Sequence, residues 1–127
     1  METEQTEDGT LETWTPQEVA QAMVDHTIVL IDVRTPQEYV HERIPGALLF
    51  PMQDFDARHL PDGGKRLVFH CGSGKRSEMV AKKVMATTGG PVAHLGGGMA
   101  GWKDSGQRYI TTDPATGAPK HTGGDAG

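Results

Sequence analysis

The side chain best suited to chemistry in this sequence is a thiol. Cys71 is the single cysteine among 127 residues and lies in His70-Cys71-Gly72-Ser73-Gly74-Lys75-Arg76-Ser77. The preceding Leu67-Val68-Phe69 is the apolar run expected of a strand buried on both faces, so Cys71 falls at the strand's carboxyl edge, where open α/β sheets bind ligands. Gly72 and Gly74 allow the backbone to curl with positive φ, and several amide hydrogens can then point at the sulfur. A helix beginning a few residues later adds its positive end, and Lys75 and Arg76 add cations. These features together predict a reactive thiol that ionises near neutral pH. A lone cysteine is most often inert packing. The strand-end position and the Gly-x-Gly-Lys-Arg-Ser turn set Cys71 apart from that background.

Charge is distributed with the same bias. Residues 65–83 carry Lys65, Arg66, Lys75, Arg76, Lys82 and Lys83 against Glu78 alone, which is half of the 12 basic residues around the thiol. Lys82 and Lys83 read as a solvated helix face. The first 13 residues hold Glu2, Glu4, Glu7, Asp8 and Glu12 with no Lys or Arg, which equals the formal net charge of -5. That balance argues against a nucleic-acid partner. The length suits one domain, and 35% hydrophobic residues can fill one modest core. No run approaches the roughly 18 apolar residues of a membrane span, and the N-terminus lacks a secretory pattern. One cysteine excludes an internal disulfide and any cysteine-cluster metal site. A soluble, cytoplasmic protein is expected.

The elements that must position Cys71 alternate strand and helix. Thr27–Val33 is a β-branched run, 67–71 a second, and Ala47–Phe50 and Val92–Leu95 are shorter ones. A fifth short strand is expected near Glu12–Trp14. Thr15-Pro16-Gln17-Glu18 and Thr35-Pro36-Gln37-Glu38 are two helix starts in the same letters: a threonine cap, a proline at the first helical position and a glutamate reaching back. They predict helices over about 16–25 and 36–42. A third helix begins near Arg76 or Ser77, with Met79, Val80, Val84 and Met85 on its apolar face. The pattern predicts an α/β fold, a central, mostly parallel five-stranded sheet flanked by helices. Residues 1–10 (acidic) and 111–127 (rich in Gly, Pro and Thr) hold too little apolar surface to offset ordering entropy and are expected as disordered tails around a domain at 11–110.

Two thiolate chemistries fit such a loop. Tyrosine phosphatases of the low-molecular-weight and dual-specificity classes hold phosphate with an arginine six residues after the nucleophile. Here Ser77 is sixth and Arg76 fifth, so the loop is one residue short. Cys71-Gly72-Ser73-Gly74-Lys75-Arg76-Ser77 instead resembles the C-x-x-G-x-R-S loop of rhodanese-type sulfurtransferases. The resemblance extends to Asp32-Val33-Arg34, Glu38-Tyr39, Ile44-Pro45-Gly46-Ala47 and the Gly-Gly-x-x-x-Trp signature within Leu95–Trp102. Many members carry Gly-His before I-P-G-A; this chain has Glu42-Arg43.

The resemblance implies a rhodanese fold and a double displacement, in which Cys71 takes sulfane sulfur from thiosulfate or a persulfide donor and passes it to cyanide or a thiol. Cys71 would be catalytic and Gly72, Ser73, Gly74, Lys75, Arg76 and Ser77 substrate-binding. Arg76 is expected to matter more than Lys75, because its planar fork can hold two oxygens of a sulfonate-like group. Asp32 and Arg34 are read as structural, pinning strand ends. His26, His41, His59 and His121 are read as surface residues, and His70 and His94 as strand positions. No metal, cofactor or membrane is expected. Relay of the persulfide to a partner protein uses the same loop, so the sequence does not separate it from small-molecule transfer. A phosphatase or arsenate reductase is disfavoured by the short loop, and a catalytically dead interaction module by the intact cysteine and glycines.

Overall fold

The two Thr-Pro-Gln-Glu tetrapeptides do locally what their chemistry dictates. In the computed structural model, which describes residues 1–61 and 63–124, α1 (Pro16–Val24) starts behind Thr15 and α2 (Pro36–His41) behind Thr35. Each threonine hydroxyl accepts the amide of its glutamate, Glu18 or Glu38, and each glutamate carboxylate accepts the threonine amide. Orphan donors at both helix starts are thereby satisfied.

The strands are β1 (Glu2–Thr6), β2 (Gly9–Trp14), β3 (Ile28–Asp32), β4 (Glu42–Arg43), β5 (Leu48–Leu49), β6 (Arg66–His70), β7 (Val92–Leu95), β8 (Tyr109–Thr112) and β9 (Pro119–Thr122). Six form one sheet in the order β1-β2-β7-β6-β3-β5, parallel from β2 to β5. The five parallel strands are those expected; the sixth, β1, pairs antiparallel with β2 at the edge. Side-chain alternation divides the core between the two faces. Leu30, Val68, Ala93 and Leu95 pack with Val19 of α1 and with Met99 and Trp102 of α4 (Gly98–Asp104). Ile31, Phe69, Cys71 and Val92 pack with Val80, Ala81, Val84 and Met85 of α3 (Lys75–Thr88).

The apolar stripe of α3 is offset from the expected one. Its buried positions are Ser77, Val80, Ala81, Val84 and Met85, spaced by three and four residues, and Met79 falls outside them at 51% exposure. Both tails also differ from expectation. Residues 2–6 add β1 to the sheet through a turn in which the Thr6 hydroxyl accepts the Asp8 amide and donates to the Gly9 carbonyl. Residues 109–122 form the β8–β9 hairpin, which joins β4 in a small antiparallel sheet. Backbone pairing orders both segments without a buried apolar face, which is why composition does not reveal them. Residues 125–127 of the expected tail lie outside the described residues. No helix among the described residues is long and apolar enough to cross a membrane.

Candidate active site

β6 ends at His70, and Cys71 opens the loop that leads into α3. The backbone must reverse within four residues, and it does so at Gly74, whose φ of 109° is a conformation that side chains rarely adopt. The Gly74 amide then donates to Cys71 Sγ at 3.1 Å, and the Ser77 hydroxyl lies 3.7 Å from the sulfur. Burial pushes the Cys71 thiol up, but hydrogen bonding from Ser77 and from the amides of Gly74 and Ser73 outweighs it and leaves the thiol below its ordinary value.

The loop is held from behind by the glycine-rich start of α4. The Met99 amide donates to the Cys71 carbonyl at 2.7 Å and the Ala100 amide to the Gly72 carbonyl at 3.1 Å. The two loop carbonyls are thereby engaged away from the sulfur. A Cβ at Gly98 would overlap the Cys71 carbonyl and the Gly72 backbone, so this close approach requires glycine. The Gly-Gly-x-x-x-Trp signature therefore supports the loop, and Trp102 itself is core.

Two arginines flank the loop, each closed by a carboxylate. Arg34, 4% exposed, donates through Nε and Nη2 to Asp32, with Nη2 at 2.8 Å from Oδ2, and also to the Glu42 carbonyl at 2.6 Å. This pair joins the end of β3 to β4. Burial raises the Asp32 carboxyl, but the His70 ring and Arg34 outweigh it and bring it to about 2. His70 Nε2 lies 3.3 Å from Asp32 Oδ2, without the alignment of a hydrogen bond.

Arg76 departs from expectation. Its fork is filled from within the chain, Nη1 reaching Glu38 Oε1 at 2.7 Å and Nη2 reaching Oε2 at 2.9 Å. The Arg76 hydrogen bonds outweigh partial burial and, with the Thr35 amide, hold the Glu38 carboxyl at about 2. Lys75 is exposed and has no ion-pair partner among the described residues. The loop's unpaired cation is thus Lys75. A cleft of about 210 Å³ opens at the Arg76 side, between Val33, Arg34 and Thr35 at the end of β3 and Pro51, Met52 and Gln53.

Of the sequence-predicted residues 72–77, the structure places Ser73, Gly74 and Ser77 at the Cys71 sulfur, directs Arg76 to Glu38, leaves Lys75 exposed, and pairs Asp32 with Arg34. Sequence reasoning missed Glu38 as the partner of Arg76 and His94 as the partner of Ser77, whose Oγ lies 3.0 Å from His94 Nδ1. Glu38 had a signal, its place in the Glu-Tyr motif; His94 had only its strand position beside β6. The Glu42-Arg43 departure sits in β4, where Glu42 pairs with Lys103 at 2.7 Å and Arg43 lies over the Tyr39 ring.

Residues 15–105 match the rhodanese-like domain family. The chain belongs to that family. It is 32% identical over 88 residues to a sulfurtransferase of Allochromatium vinosum, covering 68% of this chain and 81% of the relative. Over 79 residues it is 37% identical to the thiosulfate:glutathione sulfurtransferase of Saccharomyces cerevisiae, covering 51% of this chain and 56% of that protein. An uncharacterized Synechocystis protein is 31% identical over 101 residues, covering 79% of this chain; here too the chain spans 56% of the relative's length. Among solved structures, thiosulfate sulfurtransferase from Pseudomonas aeruginosa superposes with a TM-score of 0.69 at 27% identity, over 78% of this chain and 20% of that one. A Rhodopseudomonas palustris protein described as a possible tyrosine phosphatase superposes with a TM-score of 0.63 at 27% identity, over 75% of this chain and 81% of that one.

Proposed function

We propose that this protein is a sulfurtransferase that carries sulfane sulfur on Cys71, with thiosulfate as donor class and a small thiol, or cyanide in an assay, as acceptor. The Cys71 thiolate attacks the outer sulfur of thiosulfate. The S–S bond of the donor breaks, sulfite leaves with the bonding pair, and Cys71 is left as an anionic persulfide. An acceptor thiolate then attacks the outer persulfide sulfur, and the Cys71 thiolate is regenerated with its charge. The Gly74 amide and the Ser77 hydroxyl stabilise negative charge on Cys71 Sγ. Lys75, which has no ion-pair partner among the described residues, attracts the anionic donor, while Arg76 directs both of its Nη groups to Glu38. A thiol acceptor is also the one in the name of the yeast relative.

The observation that carries this reading is the closed Arg76–Glu38 pair beside a short loop. A phosphatase needs its loop arginine free to grip two phosphate oxygens and an acid for the leaving group. Here the arginine is occupied and Asp32, the nearest buried carboxylate on β3, is tied to Arg34. Intact-mass measurement tests the proposal. Thiosulfate should add roughly 32 Da to the protein, cyanide or a thiol should remove it, and Cys71→Ser should show neither change. Cysteine-dependent hydrolysis of an aryl phosphate without any persulfide would overturn it.

A further inference from the structure

β7 carries a buried histidine that the sulfur chemistry above does not use. Alternation puts His94 with Val92 on the α3 face of the sheet, one strand over from Cys71, in register with Phe69. The residue is 6% exposed. Its Nδ1 lies 3.0 Å from Ser77 Oγ and its Nε2 3.0 Å from Thr13 Oγ1 on β2. With the 3.7 Å contact between Ser77 Oγ and Cys71 Sγ, four side chains form an unbroken polar line from β2 to the reactive sulfur. The Ser77 hydroxyl has one proton and three acceptors within reach: the sulfur, His94 Nδ1 and the Gly74 carbonyl at 3.1 Å.

We propose that His94, acting through Ser77, is a positioning residue that turns the Ser77 hydroxyl toward the Cys71 thiolate. With Cys71 protonated, the line runs outward: Sγ–H donates to Ser77 Oγ, the Ser77 hydroxyl to Nδ1, and Nε2–H to Thr13 Oγ1. On ionisation every proton moves one place along. Ser77 receives the thiol proton and gives its own to Nδ1, Nε2 gives its proton to Thr13, and Thr13 releases one to water. Only the sulfur changes charge, and the imidazole stays neutral throughout. The line now runs inward, Thr13 to Nε2, Nδ1–H to Ser77, and Ser77 to sulfur. A protonated Nδ1 no longer competes for the Ser77 proton, and of the two acceptors that remain, the Gly74 carbonyl and the thiolate, the anion is the stronger. Burial holds the His94 imidazole below its ordinary value against the opposing pull of Glu78 on α3, in keeping with a neutral ring. Of the other charged groups around the loop, Arg76 with Glu38 and Asp32 with Arg34 are engaged with each other, and Lys75 is exposed to solvent.

The inference rests on the proposed function only in taking Cys71 as the nucleophile, and its test needs no sulfur donor. Iodoacetamide alkylation of the full chain is followed against pH, with circular dichroism to verify folding. His94→Leu should raise the Cys71 inflection by about one pH unit and slow alkylation about tenfold at a pH well below both inflections. His94→Asn puts an amide donor near the Nδ1 position and should keep the low inflection; His94→Gln reaches toward Nε2 and should not. Ser77→Ala should raise the inflection further, and adding His94→Leu to it should change nothing more. An unchanged inflection in folded His94→Leu, additive shifts in the double variant, or Asn behaving no better than Gln would overturn the proposal. The Asn and Gln pair decides the matter if the leucine variant does not fold. Failure here leaves the mass shift with thiosulfate as a separate result.

Discussion

The tetrapeptide Thr-Pro-Gln-Glu occurs twice, and its two copies part ways only in tertiary structure. Both glutamates close a capping box, at 3.0 Å from Thr15 and 3.1 Å from Thr35. Glu18 is then left at the surface, its nearest charge the Met1 amine at 2.8 Å. Glu38 instead faces the loop after β6 and closes the fork of Arg76, a residue 38 positions away. One glutamate therefore serves a helix start. The other serves a helix start and the charge balance beside the Cys71 loop.

That contrast can be broken most severely at Arg76. Arg76→Ala leaves the Glu38 carboxylate unpaired beside Cys71, where it opposes both the thiolate and an anionic donor. Sulfur transfer from thiosulfate to cyanide should fall on the order of 100-fold in kcat/KM. Adding Glu38→Gln should recover part of the loss; a double variant as poor as Arg76→Ala would mean that the unpaired carboxylate is not its cause. Removing the glutamate alone is milder. Glu38→Ala should cost about 1–2 kcal/mol in denaturant unfolding, because a cap and a partly exposed ion pair go together, whereas Glu18→Ala should cost about 0.5 kcal/mol and leave Cys71 alkylation unchanged. Equal losses would erase the distinction between the two copies.

The comparison also has a pH form. The Glu38 carboxyl is lowered from 4.5 to about 2 in the folded protein, chiefly by Arg76. A carboxylate with a depressed folded pKa contributes stability that is complete above the unfolded value and is lost as pH falls through the folded one. Stability should therefore decline between about pH 4.5 and 2. Asp32 titrates in the same window, so the diagnostic is the difference between variants: Glu38→Gln should flatten the decline measurably more than Glu18→Gln. The smallest expected effect is at Lys75. Lys75→Ala should raise the KM for thiosulfate about threefold, less at high salt, with kcat little changed, as suits an exposed point charge. A larger loss than at Arg76 would assign donor binding wholly to the lysine.

Much of the fold and the heart of the site were legible because they rest on short-range rules. The buried run before Cys71, the glycines after it and the threonine caps each constrain the backbone within a few residues, and α1, α2, β3 and β6 lie where those rules put them. Met79 marks the first limit: a run of apolar residues around 79–85 does not say which edge of the helix meets the sheet, and the packing of α3 on β6 and β7 selected Val80, Ala81, Val84 and Met85. The terminal hairpins mark the second. β1 and β9 are held by backbone hydrogen bonds to neighbouring strands, and such bonds require little of the side chains.

The sequence by itself determined that a single thiol stands at a strand end in a loop whose glycines let an amide reach it, since those consequences follow from residues adjacent in the chain. Only the tertiary structure decided what surrounds that thiol. Parallel strand order brought β7 beside β6 and so His94 to Ser77, and the packing of α2 against the loop gave Arg76 to Glu38 rather than leaving it open. The physical reason is the same for both: a hydrogen bond or ion pair between distant residues depends on which faces meet in space, and the chain's local preferences are equally satisfied whichever residue lies opposite.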